Sequence, residues 1–186
     1  MKIGLFFGSF NPIHHGHLMV ASYIANHTAL QQIWLVVSPQ NPHKTQASLL
    51  NEYDRLHLAQ LAIEDDDQIK VSDIEFKLPK PSYTIDTLTY IQEQFPQHEF
   101  SVIMGGDSFQ NLPKWKNFEM LIKNYQFIVY RRPGFEITEM HGARVQYLEA
   151  PMLELSATLI RNNCKDGITI RYLVPEKVRE EIERNP

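Results

Sequence analysis

Residues 8–17, GSFNPIHHGH, place three histidines within four positions, behind a glycine, a serine and a proline. Imidazoles at this density do one of two things: they donate hydrogen bonds to phosphate oxygens, or they ligate a metal. His14 and His17 stand three residues apart, so on a first helical turn they face one side and act on one anion together, while His15 points elsewhere. A closed zinc site wants four ligands, and the neighbouring chain supplies no cysteine and no evident carboxylate. Phosphate is the leading reading and metal the alternative. For any one of these histidines the ordinary role is a helix cap or a packed ring.

Such residues need a scaffold that holds them at one edge, and the apolar patterning supplies it. Runs at 3–7, 33–37 and 100–104 are rich in β-branched and aromatic residues and stop at Gly or Ser, as buried parallel strands do. Helical spacing marks 17–26, 52–63 and 118–125, the last followed by a strand at 127–130. Weaker strands are expected at 70–72 and 145–148, and helices at 155–163 and 175–184 close the chain. Strand and helix alternate at least four times, which implies an open, right-handed α/β sheet with the C-terminal helices packed back on it. In such a sheet ligands bind at the carboxyl ends of strands, where 8–17 leaves the first strand and enters a helix whose N–H groups and positive dipole end suit phosphate. The polar stretch 38–50 follows a strand at the same edge.

Composition narrows the classes further. A chain of 186 residues makes one compact domain, here 1–186, and shows no repeat, low-complexity tract or linker. Its net charge of −4 argues against a nucleic-acid or anionic-membrane binder, so any anion is met locally. The single cysteine, Cys164, excludes an intrachain disulfide and a thiolate cluster, and fits a reducing compartment, by default the cytoplasm. No apolar run approaches the roughly 20 residues that cross a bilayer, and the N-terminus lacks the pattern of a signal peptide. Neither GxxxxGK[ST] nor GxGxxG occurs, which removes the commonest kinases and dehydrogenases.

The histidine loop resembles the [HT]xGH signature of the nucleotidylyltransferase superfamily, with His14, Gly16 and His17 in its places. Residues 155–161, LSATLIR, resemble that superfamily's second signature, in which Ser156 and Thr158 open a helix against a triphosphate and Arg161 reaches the phosphates. By physics alone, Ser or Thr at a helix start is an N-cap. The whole chain resembles the bacterial nicotinate-nucleotide adenylyltransferases, with NPHK at 41–44, PSYTIDTL at 81–88, GGDSF and PKW within 105–115, and RRPG at 131–134 in that family's order. Phe7 departs from the first glycine of the common GG[TS]F[DN]P form, and Asn11 stands where many members have Asp.

The resemblance implies a Rossmann-like, doubly wound, mostly parallel open sheet with C-terminal helices. It also implies transfer of the adenylyl group of ATP to nicotinate mononucleotide in NAD biosynthesis, with Mg²⁺ bound through the ATP phosphates and no metal site of the protein's own. ATP would be met by Gly8, Ser9, Phe10, His14, His17, Gly105, Asp107, Ser156, Thr158 and Arg161, of which His14, His17 and Arg161 are catalytic. The mononucleotide would be met by Lys44, Thr84, Trp115, Lys116 and Arg132. Within this set the resemblance puts Asp107 on the adenosine ribose, where a helix N-cap is the alternative, and the nicotinate carboxylate on backbone N–H groups near Thr84 and Lys116. Trp115 stacks on the pyridinium or packs in the core, and Lys44 follows phosphates or is a free surface lysine. The alternatives are another phosphorylated acceptor, such as nicotinamide mononucleotide or phosphopantetheine, or a nucleotide-binding module without catalysis. Neither nucleic acid nor membrane is expected as a partner, and the sequence is silent on whether the chain forms a homo-oligomer.

Overall fold

Strands that alternate their side chains between two covered faces read as unbroken apolar runs, and the computed structural model of the chain, which describes residues 1–40, 42, 49–132 and 134–185, is built on six of them. These are β1 (Lys2–Gly8), β2 (Gln32–Val37), β3 (Ile69–Ser72), β4 (Glu99–Gly105), β5 (Gln126–Tyr130) and β6 (Arg144–Leu148). All pair in parallel, in the order β3-β2-β1-β4-β5-β6. Strand order reverses between β1 and β4, so the crevice at their carboxyl ends is where a doubly wound sheet takes its ligand.

The pleat sorts the core into two layers. Ile3, Leu5, Val102, Met104, Phe127 and Val129 face α3 (Thr84–Gln94), α4 (Gly106–Gln110) and α5 (Phe118–Asn124), which contribute Leu88, Phe109 and Leu121. Phe6, Ile33, Leu35, Ile103 and Ile128 face the other way, onto α1 (His15–His27), α2 (Glu52–Ala62), α6 (Ala157–Lys165) and α7 (Glu176–Arg184), through Ile24, Leu58, Ile160 and Val178. The C-terminal helices therefore do pack back on the sheet. Helix α3 has no counterpart among the expected elements. Its apolar positions Ile85, Leu88 and Ile91 recur on one face, but three threonines dilute the helical signal and its N-cap, Tyr83, makes no side-chain cap.

The ends of β1, β2 and the start of α2 meet on one side chain. Arg55, 1% exposed, donates from Nη1 to the carbonyls of Ser9 (2.7 Å) and Ser38 (2.8 Å), from Nη2 to Pro39 (3.0 Å) and from Nε to Leu50 (3.0 Å). Replacing it by methionine keeps the stem but leaves those carbonyls without a donor. Arg55→Met is expected to lose about 3 kcal/mol or more of unfolding free energy in urea, since a hydrogen bond to a charged group contributes about 1.5–3 kcal/mol; a loss below about 1 kcal/mol would show that the clamp is not structural.

Candidate active site

A cleft of about 780 Å³ opens at the switch point between β1 and β4. The β1–α1 loop lines it with Gly8, Ser9, Phe10, His14 and His17, the end of β4 with Gly105 and Asp107, and the start of α6 with Ser156, Thr158 and Arg161. Thr84, Trp115, Lys116 and Arg132 line it as well. Of the residues the sequence nominates, only Lys44 lies outside the described residues.

His14 is the N-cap of α1, in extended backbone, and forms a reciprocal capping box with His17. The His17 N–H donates to His14 Nδ1 (3.4 Å), and the His14 N–H donates to His17 Nδ1 (3.2 Å). With both Nδ1 atoms accepting, each neutral ring carries its proton on Nε2 and presents a donor there. The rings stack, centroids 3.7 Å apart, so the cap and the ligand-facing roles are filled by the same two side chains. Gly16 makes this stacking feasible: a Cβ there would fall 2.7 Å from His14 Cε1 and 2.8 Å from its Nδ1. Phe10 wedges the pair from below, with φ of 46° and its ring edge-on to His17 at 5.0 Å. A non-glycine residue in that left-handed conformation is strained, and burial among Phe6 and His17 holds it there.

The first turn of α1 offers less bare backbone than its position suggests. Its His15 N–H goes to Leu173 O (3.0 Å) and its His17 N–H to His14, which leaves Gly16 as the donor of that turn without a protein acceptor among the described residues. Most of the donor capacity has moved to the imidazoles. His14 is 5% exposed, and burial first, then His15 and Arg132, lower its pKa from 6.5 to about 4, so the ring is a neutral donor at physiological pH.

Arg161 ties the two signature motifs together across 150 residues of sequence, donating from Nη1 to Asn11 O (2.7 Å) and from Nη2 to Thr158 Oγ1 (3.2 Å). Ser156 is the N-cap of α6, its Oγ accepting from the Leu159 N–H (3.1 Å), so its hydroxyl proton remains for a ligand. Asp107 is not a cap: α4 has no side-chain cap bond, and Asp107 Oδ1 instead lies 3.5 Å from Arg132 Nε. That approach needs Gly105, where a Cβ would fall 2.7 Å from Asp107 Oδ1 and 3.0 Å from Arg132 Nε. Arg132 thus sits beside the carboxylate and near enough to His14 to lower that ring's pKa. Lys116 pairs with Asp86 (2.8 Å) and sits 4.8 Å over the Tyr83 ring, bracing the entrance of α3, whose first residue is Thr84. Trp115 is partly buried, packed against the α3–α5 core, and also lines the cleft.

Sequence reasoning did not find Arg55, nor Glu75, which is 2% exposed and lines the cleft with Ser38 and Ser82. Neither carries a local mark: each is a single charged residue in a segment whose periodicity is read from its apolar neighbours. Among the described residues no three His, Cys, Asp or Glu side chains gather as a metal-holding set.

The cytidylyltransferase-like family model matches residues 5–163. The chain is 46% identical over its full length, and 97% of the relative's, to a protein of Flavobacterium psychrophilum named "probable nicotinate-nucleotide adenylyltransferase". It is 50% identical, over 97% of this chain and 94% of the relative, to a Cytophaga hutchinsonii protein of the same name. The fold superposes on a Plasmodium falciparum nicotinic acid mononucleotide adenylyltransferase complexed with NaAD at a TM-score of 0.83 and 22% identity, covering 98% of this chain and 95% of that one.

Because His14 holds protons less tightly folded than unfolded, the unfolded chain binds more protons between about pH 6.5 and 4, and stability falls as pH drops through that window. The cost from this ring is on the order of 3 kcal/mol. NMR of the His14 ring is expected to show it neutral until near pH 4, with urea midpoints falling in parallel; a ring titrating at 6.5 would contradict the burial argument.

Proposed function

The chain belongs to the cytidylyltransferase-like family and, within it, to the nicotinate-nucleotide adenylyltransferases, and from that premise we propose that it transfers the adenylyl group of ATP to nicotinate mononucleotide. The observation that carries this reading is the Arg161 bond to the Asn11 carbonyl, which brings a guanidinium and two Nε2–H imidazoles to one cleft at the sheet's switch point. An acceptor phosphate is already anionic at neutral pH, so no protein nucleophile is required. One of its oxygens forms the new bond to the α-phosphorus while the bond from that phosphorus to the bridging oxygen breaks, and pyrophosphate leaves with the electron pair. The protein aligns two anions and stabilises the charge that develops.

In this reading His17 acts on the α-phosphate and His14 on the β/γ end or the bridging oxygen, both as neutral donors, while Arg161 takes the charge of the departing pyrophosphate. Ser156 and Thr158 face the triphosphate, Gly8, Ser9, Phe10 and Gly105 shape the nucleotide's bed, and Asp107 accepts from the ribose hydroxyls. Thr84 and Lys116 offer backbone N–H groups to the nicotinate carboxylate, Trp115 stacks on the pyridinium, and Lys44 and Arg132 meet the mononucleotide phosphate. Nucleotidyltransferases of this kind use a divalent metal with ATP, and we assign it as Mg²⁺, which would be held through the triphosphate and would supply charge neutralisation there. A donor set of imidazoles and guanidinium, without a carboxylate cage among the described residues, fits a metal that arrives with the nucleotide. The reading treats residues 1–186 as one cytoplasmic domain; no described helix is long and apolar enough to cross a membrane.

Pyrophosphate release with ATP and Mg²⁺ is expected to be fastest with nicotinate mononucleotide, against nicotinamide mononucleotide and phosphopantetheine at matched concentrations. Preference for the amide would overturn the carboxylate pocket, and release with none would favour a non-catalytic module. His17→Ala is expected to fold normally and lose about 10²–10³ in kcat, the range for removing one preorganised donor. Gly16→Ala should do comparable harm to kcat by displacing the His14 ring, visible as a changed His14 shift in the NMR spectrum.

A further inference from the structure

A continuous row of ring side chains lines the cleft and joins Arg132 to the histidine pair. Tyr130, the last residue of β5 and 5% exposed, sits edge-on to Phe6 of β1, with centroids 6.0 Å apart and planes at 72°. Phe6 is edge-on to Phe10 at 5.9 Å and 82°, Phe10 is edge-on to His17, and His17 stacks on His14. Edge-to-face contacts at these separations are favourable, so each buried ring holds the next in one orientation. Tyr130 and Arg132 stand two residues apart, the spacing that puts side chains of extended backbone on one face. Arg132 Cζ accordingly lies 5.8 Å over the Tyr130 ring, within the reach of a cation–π contact. Among the described residues the other charge on Arg132 is the Asp107 carboxylate, 3.5 Å from Nε, and with the arginine side chain 45% exposed such a pair constrains it weakly. The buried ring gives the guanidinium a defined seat.

We propose that Tyr130 is a positioning residue for the acceptor: its ring seats the Arg132 guanidinium, and the rings of Phe6 and Phe10 hold that seat at a fixed place relative to His17 and His14. The proposal rests on the reading that Arg132 meets the mononucleotide phosphate. In that reading the phosphate has to be brought to the α-phosphorus on which the histidines act, so the arginine and the imidazoles must be set at one separation before either substrate arrives. A free arginine loses rotamer freedom each time it binds, which weakens its hold on the anion; one already seated on a ring has less to lose. Tyr130 acts through Arg132.

Tyr130→Phe keeps the ring face and Tyr130→Leu removes it. In steady-state kinetics of the full chain, Tyr130→Leu is expected to raise KM for nicotinate mononucleotide about fivefold, with kcat and the KM for ATP within about twofold, while Tyr130→Phe stays within about twofold throughout. In an Arg132→Ala background Tyr130→Leu is expected to add nothing, because the group it acts through is gone. The same fivefold rise in that background, a Tyr130→Phe protein as impaired as Tyr130→Leu, or an unchanged KM in Tyr130→Leu would overturn the proposal. NMR of the Arg132 side chain reads the seat without any substrate: a ring-current shift is expected in the wild type and in Tyr130→Phe and is expected to vanish in Tyr130→Leu. Its absence from the wild type would overturn the seat without recourse to a variant. A shift present in the wild type, together with an Arg132→Ala protein of unchanged KM for the mononucleotide, would keep the seat and overturn the phosphate role that the reading gives Arg132.

Discussion

Arg55 spreads one guanidinium under the carbonyls of Ser9, Ser38, Pro39 and Leu50, and the cleft takes its form from that contact. Two parallel strands, β1 and β2, end side by side, and the chain must leave each in a different direction with its carbonyls shielded from water. A planar fork of donors satisfies several acceptors at fixed angles, which the point charge of a lysine would not. The guanidinium is satisfied by main-chain carbonyl dipoles, with Glu52 acting on it from nearby.

The same contact propagates toward the reacting groups. Fixing the Ser9 carbonyl fixes the residue before Phe10, whose left-handed backbone throws its ring under His17, and the stacked histidines then hold each other through main-chain N–H groups. Arg161 closes the loop from the other side by taking the Asn11 carbonyl. Backbone strain at Phe10, on the order of 1–3 kcal/mol, persists because both flanking residues are held by arginines from distant helices. Two imidazoles with fixed tautomers and little freedom to turn are what preorganised donors require.

The features legible in the sequence are those that repeat or cluster. Parallel strands covered on both faces gave unbroken apolar runs, so β1, β2, β4 and β5 stood out, while the edge strands β3 and β6, with half-exposed residues such as Tyr147, were faint. The histidine loop was legible because three imidazoles in four positions are hard to explain as packing. What was hidden acts through main chain or through one buried charge. Arg55 sits in EYDRLHLAQLA, where an arginine reads as the polar side of an amphipathic helix, and nothing local says that its partners are carbonyls up to 46 positions away. Helix α3 was hidden by its threonines, one of which, Thr87, is fully buried as a donor to Glu75. N–H groups such as those near Thr84 and Lys116 leave no compositional trace at all, so the role expected of them rests on the family resemblance alone.

The two halves of the cleft solve the same electrostatic problem by different means. In a chain of net charge −4 the cleft at the sheet's switch point is lined by Arg132, Arg161 and His14, whose imidazole is kept neutral by burial first and then by His15 and Arg132. A neutral imidazole there adds a donor without adding a like charge beside the arginines. At the α3 end the cleft is lined by a helix terminus, braced from outside by the Lys116–Asp86 pair and from beneath by Glu75, Ser82 and Thr87. A helix terminus holds its charge in fixed dipoles and distinguishes a carboxylate from a carboxamide only if the groups around it are neutral or positive.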